Sequence, residues 1–319
     1  MQQVLMNGCN NLVVKGLKLM NSQRSHLAID NCNDVMLSQL TITAPGESPN
    51  TDGIDVANSR RVRIEWSTIA TGDDCIAIKR GAFQINITGI ACGPGHGISI
   101  GSLGKDKSTS EEVADVIVKQ CNFTRAMNGA RIKTWQGGVG FARRITFEDI
   151  NFVSTRNPII IDQTYCDRPY TNCKSDQSST VKVEGVTYQR MRGTSSNLMA
   201  VTLTCNPFAP CSDIVMKEVV IMRDDGSATS SSCSNALGSI GKEWQRISVP
   251  EQSFFFLHPS LVIEESFTIG IKRIFLSYPS HPPPVIHLPF HPVTPSSEAS
   301  SPIVGRDPVH HQEFIFNQS

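Results

Sequence analysis

Short blocks in which apolar and polar positions alternate recur along the chain: NLVVKGLKL from Asn11, DVMLSQLTI from Asp34, RVRIEWSTI from Arg61, FQINITGIAC from Phe83, DVIVKQCNF from Asp115, RITFEDINF from Arg144, TVKVEGVTY from Thr180 and DIVMKEVVI from Asp213. A period of two, many β-branched residues and flanking Gly, Asn and Ser predict strands rather than helices. The first apolar positions, Leu12, Val35, Val62, Ile85, Val116, Ile145, Val181 and Ile214, align the blocks with one another. Shorter strands fall between them: HLAID from His26, GIDV from Gly53, CIAI from Cys75, GISI from Gly97 and ARIKT from Ala130. A strand repeat of slightly more than twenty residues, without helical periodicity, predicts an all-β chain wound as a right-handed parallel β-helix. Leucine-rich repeats would need their own leucine and asparagine spacing, and propeller blades would need roughly forty residues. Longer intervals read as loops added to a coil, such as GSLGKDKSTSEEVA at 101–114.

That periodicity changes the meaning of four polar clusters. Asp52 in SPNTDGIDV, Asp73 and Asp74 in TGDDCIAI, His96 in GPGHGISI, and Arg131 with Lys133 in ARIKTW follow one another at about one coil each, the last after the 101–114 loop. Neighbouring strands lie about 4.8 Å apart, so the four clusters are expected along one cleft roughly 15 Å long. Taken singly, each has a bland reading as a turn cap, a turn histidine or a solvated face. Their common register favours a site. Stacked carboxylates cannot all ionise at ordinary pKa values, so one is expected to stay protonated beside an ionised neighbour. An acid beside a base is the pair that hydrolyses a glycosidic bond. Arg131 and Lys133 would grip an anionic sugar, which makes an acidic polysaccharide the expected substrate.

Composition narrows the partners further. The 319 residues carry 29 Lys and Arg against 29 Asp and Glu, a formal net charge of zero. No global attraction to nucleic acid or to an anionic membrane follows from that balance. There is no apolar run long enough for a membrane helix, and MQQVLMNGCNNLVVKG does not read as a signal peptide. The ten cysteines form no CxxC pairs, so a structural zinc site is not expected. Close pairs such as Cys166/Cys173 and Cys205/Cys211 suit disulfides in an oxidising compartment, and the sequons at Asn86 and Asn122 point the same way.

The segments NTD (50–52), GDD (72–74), GHG (95–97) and RIK (131–133), in that order and spacing, resemble the four signature motifs of polygalacturonases, the pectin-degrading glycoside hydrolases of family 28. GPGHGISIGSLG and RIKTWQGG look specifically plant-type, and the similarity runs from about Val4 to about Leu237. The resemblance implies hydrolysis of α-1,4-linked galacturonan with inversion. By position, Asp73 resembles the general acid, Asp52 and Asp74 the carboxylates that activate water, and His96 the support of the acid. Arg131 and Lys133 resemble the residues that bind the galacturonate carboxylate, with Asn50 and Tyr165 at neighbouring substrate positions. Cys75 with Cys92, and Cys205 with Cys211, resemble paired disulfides. No metal or organic cofactor is implied. The implied setting is extracellular, in the cell wall, for a monomer.

Both ends depart from that pattern. The chain starts inside the repeat, so the expected organisation is an N-terminally incomplete β-helix over 1–237 and a divergent Pro- and His-rich tail over 238–319 that is not a folded domain. After CSNALG the usual final turn is missing, which leaves Cys233 without its expected mate. The tail's histidines lack regular metal-ligand spacing. Two rival readings follow: a pectate lyase on the same scaffold, and an inactive carbohydrate-binding fragment.

Overall fold

Along the strands of the eight alternating blocks, inward-facing apolar residues alternate with more exposed ones, and the inward ones stack from coil to coil. The computed structural model describes residues 3–166 and 181–240; Cys173 and the tail past 240 lie outside the described residues. Every regular element among them is a strand. One sheet of nine parallel strands runs through Val4–Asn7, Leu27–Asp30, Ile54–Ala57, Ile76–Ile78, Ile98–Leu103, Asn128–Trp135, Asn157–Tyr165, Met199–Thr204 and Ser230–Ser234. A second row starts with Asn10–Lys15, Asn33–Ser38, Arg60–Glu65, Ala82–Thr88 and Ser110–Lys119; a third holds Lys18–Met20, Thr41–Thr43, Thr68–Ala70, Ala91–Cys92 and Asn122–Thr124. The long strand Val139–Thr155 bends across both rows and joins them. This is a parallel β-helix, with the right-handed winding that parallel crossovers take.

The interior is a set of aliphatic columns. Ile54, Ile76, Ile98, Ala130, Ile159 and Val201 pair in register from coil to coil, each 0% exposed. In the second row Leu12, Val35, Val62, Ile85, Val116 and Ile145 stack as the alternation predicts. The next partner of Ile145 is Val186, not Val181. The reason is the corner. The residue before each stacked position has positive φ: Asn11, Asp34, Arg61, Gln84, Asp115, Arg144 and Asp213. In the block from Thr180 only Gly185 takes that geometry, with φ 64, so it sets the register and Val186 follows it into the core.

Cys75 and Cys92 are bonded, with Cα atoms 5.9 Å apart, and Cys205 is bonded to Cys211. Cys9, Cys32, Cys121 and Cys233 carry no disulfide among the described residues. Gly97, beside His96, has φ +84, and a Cβ there would run into the carbonyl oxygens of Asn128 and Gly129. Coils therefore close tightly next to the polar clusters. Because each interior column has no slack, truncating a central member leaves a void. Ile64 stacks between Leu37 and Ile87 in such a column and is 0% exposed, so Ile64→Ala is expected to lower stability by about 2–5 kcal/mol in urea unfolding. A loss under about 1 kcal/mol would contradict the close packing of that column.

Candidate active site

The polar clusters sit where strands of the nine-stranded sheet begin, or on its outward positions. Asp52 lies just before Ile54–Ala57, Asp73 and Asp74 just before Ile76–Ile78, and His96 just before Ile98–Leu103, while Arg131 and Lys133 are on Asn128–Trp135. Main-chain bonds lock the coils together there. Gly53 N donates to the Asp74 carbonyl at 2.9 Å and His96 N to the Asp73 carbonyl at 2.8 Å. Gly72 N donates to Thr51 Oγ1 at 3.0 Å. A cleft of about 350 Å³ opens over this edge, lined among others by Arg24, Asn50, Asp52, Asp73, Asp74, Lys79, Lys133 and Tyr165.

Asp74 is the buried centre, only 1% exposed. Its Oδ1 accepts from Ser99 Oγ at 2.8 Å and from Arg131 Nη2 at 2.6 Å, and its Oδ2 accepts from Lys133 Nζ at 2.9 Å. Arg131 Nε donates to Ser99 Oγ at 2.8 Å, closing the ring. Register explains the meeting: Ser99 pairs directly with Arg131 across adjacent strands, and two residues on, Lys133 lies on the same face. Burial alone would raise the Asp74 pKa. The two cations, with the Lys133 and Ser99 hydrogen bonds, outweigh it and hold the carboxyl far below the usual range.

The other carboxylates differ. Asp73 Oδ1 meets His96 Nδ1 at 3.0 Å and accepts from Asp74 N at 2.8 Å. Burial and the charge of Asp74 raise its pKa, but the His96 hydrogen bond together with the charges of His96 and Lys133 outweighs them, so Asp73 is lowered. Asp52 has no such partner: Lys79 Nζ stands 3.8 Å away and sits closer to Asp55, at 2.8 Å. Burial first, then the charges of Asp55, Asp74 and Asp73, push Asp52 up to about 8. The proton that crowding requires is thus favoured on Asp52, and the surroundings of Asp73, the residue that resembles the acid, favour its ionised form.

The sequence reading differs from the structure in two respects. Arg131 and Lys133, expected to grip an anionic sugar, have side chains only 12% and 9% exposed and are engaged with Asp74. Lys133 Nζ also lies 5.3 Å from the Tyr165 ring centroid, and Tyr165 packs edge-on against Trp135. Lys79, Asp55, Ser99 and Arg24 escaped the sequence reading. Lys79 follows the strand Ile76–Ile78 and Asp55 is in GIDV, so only register places them at the cleft. Asp73, Asp74 and His96 bring ligand atoms within 4.8 Å of one another. Both oxygens of Asp74 already accept from cations, which makes this a poor metal cradle.

Two outcomes follow. Asp74→Asn removes the anion that Arg131 and Lys133 share, and is expected to destabilise the protein by about 3–5 kcal/mol in urea unfolding. The surface variant Asp34→Asn, which breaks the exposed Arg61 pair, should change stability little, and equal losses would contradict the central role of Asp74. For Asp52 the folded pKa lies above the unfolded value of about 3.9. Between these pH values the native state binds more protons, so Asp52 makes stability fall as pH rises from about 4 towards 8. Asp52→Asn should flatten that part of the stability profile, and an unchanged slope would refute the assignment.

Residues 2–242 match the family described as Glycosyl hydrolases family 28. A polygalacturonase of Malus domestica is 49% identical over 216 residues, covering 68% of this chain and 46% of that protein. A probable polygalacturonase of Arabidopsis thaliana is 48% identical over 234 residues, covering 72% and 51%. The chain spans about half the length of the curated relatives it matches. Among solved structures, the endo-xylogalacturonan hydrolase from Aspergillus tubingensis superposes with a TM-score of 0.64 at 23% identity, covering 74% of this chain and 65% of that one. The polygalacturonase from Erwinia carotovora superposes with a TM-score of 0.61 at 25% identity, covering 76% and 60%. With the motifs in register on a parallel β-helix and the family matched across most of its length, the chain belongs to glycosyl hydrolase family 28.

Proposed function

We propose that this protein is a polygalacturonase that hydrolyses α-1,4 bonds of galacturonan with inversion, as a monomer in the cell wall. The observation that carries the reading is one cleft that gathers three carboxyls in unlike surroundings, which push the pKa of Asp52 up and those of Asp73 and Asp74 down. Inverting hydrolysis needs one carboxylic acid at the leaving oxygen and one carboxylate at the attacking water. Asp73 takes the acid's role in this reading, and Asp52 with Asp74 the water's side.

The proton must then pass from Asp52 to Asp73 when substrate fills the cleft. A uronate carboxylate entering beside Asp73 adds a like charge and displaces water, and both effects raise its pKa. His96 keeps the Asp73 carboxyl oriented through the 3.0 Å contact. Asp74, locked by Arg131 and Lys133, keeps its charge throughout. The disulfides fit an oxidising compartment, which supports the extracellular setting.

The test is release of new reducing ends from polygalacturonate by the full chain, with Asp73→Asn alongside. The expected result is activity that falls by about 10²–10⁴ in the variant. Folded wild-type chain that releases no reducing ends would favour the binding-fragment reading. An unsaturated product absorbing in the ultraviolet would indicate a lyase, and an unimpaired Asp73→Asn would remove Asp73 as the acid.

A further inference from the structure

A cleft that takes a polyanion must offset its own acids. Among the described residues four carboxylates line this one: Asp52, Asp55, Asp73 and Asp74. The cations beside them are already committed. Lys79 pairs with Asp55 and reaches Asp52, while Lys133 and the adjoining Arg131 hold Asp74. Among the described residues one lining cation is left. Arg24 is exposed, and among the described residues its guanidinium makes no ion pair or hydrogen bond; only its main-chain N donates, to Ser22 Oγ at 3.4 Å.

Its position is fixed from below. His26, 0% exposed, donates to the Asp52 carbonyl from its main-chain N at 2.8 Å and contacts the same oxygen through Nδ1 at 3.0 Å. Ser22 Oγ donates to the Ser25 carbonyl at 3.0 Å, tying the turn on which Arg24 stands. Arg24 therefore projects from a rigid coil one strand spacing, about 4.8 Å, beyond that of Asp52. That is the side of Asp52 away from Arg131 and Lys133.

Resting on the galacturonan reading of the cleft, we propose that Arg24 binds the carboxylate of a uronate residue on the Asp52 side of the reacting bond, and so selects acidic over esterified sugar there. A guanidinium accepts a carboxylate with two parallel N–H bonds, and a methyl ester cannot reproduce that charge-assisted pair. No other lining cation is free to do this among the described residues. The contact would extend recognition to the end of the cleft opposite Lys133.

Calorimetric titration of the full chain and of Arg24→Gln and Arg24→Lys with oligogalacturonate, and with the same oligomer methyl-esterified, tests this. Reducing-end kinetics on polygalacturonate run in parallel. Arg24→Gln is expected to weaken binding of the acidic oligomer by about tenfold, with the kinetic loss falling on KM, and Arg24→Lys is expected to recover part of it. The esterified oligomer should bind wild type and Arg24→Gln alike. Equal affinity of both proteins for the acidic oligomer, or the same loss for the ester, would overturn the assignment. Wild-type chain that binds oligogalacturonate without cleaving it would sink the proposed hydrolysis and leave Arg24 standing; wild type that does not bind it would sink Arg24 as well.

Discussion

The site depends on the burial of one charge. Asp74 is removed from water, and an isolated carboxylate in that position would neutralise itself. Arg131, Lys133 and Ser99 prevent this by filling its oxygens from coils further along the helix. That arrangement has a cost in function as well as a benefit: two cations placed at an acidic cleft are drawn inward. The remaining carboxylates then sort themselves by what is left. Asp73 has His96, whereas Asp52 is buried beside Asp55, Asp74 and Asp73 with Lys79 too distant to offset them, so its pKa is pushed up.

A parallel β-helix is well suited to such sorting. Each coil adds one strand spacing, and each strand alternates faces, so residues far apart in sequence meet at fixed intervals. Ser99 and Arg131 meet because their strands pair in register, although the chain between them includes the 101–114 loop. Gly97 lets the coils close where a side chain would force them apart. The aliphatic columns beneath keep this edge rigid, so the polar groups above are held before any substrate arrives.

Much of this was legible in the chain. Alternation and repeat spacing carried the fold, and common register brought Asp52, Asp73, Asp74, His96, Arg131 and Lys133 into one neighbourhood. Alternation cannot choose between Val181 and Val186, because both are β-branched and followed by a polar residue; the left-handed corner at Gly185 decides it. Lys79 and Asp55 look like ordinary outward strand residues until pairing places them over the cleft. Charge ownership was also out of reach. Which carboxylate keeps the proton depends on how deeply Asp52 is buried and on how near the charges of Asp55, Asp74 and Asp73 stand, and no spacing rule encodes those.

The central claim is that Asp74 holds Arg131 and Lys133, and that burial among acids leaves the proton to Asp52. Carboxyl-carbon NMR titration of the aspartates in the unliganded full chain tests it most directly. The account predicts that Asp52 titrates near pH 8, and that Asp73 and Asp74 both titrate below the ordinary aspartate range. An Asp74 that titrates in the ordinary range, or an Asp73 that holds its proton to higher pH than Asp52, would contradict it.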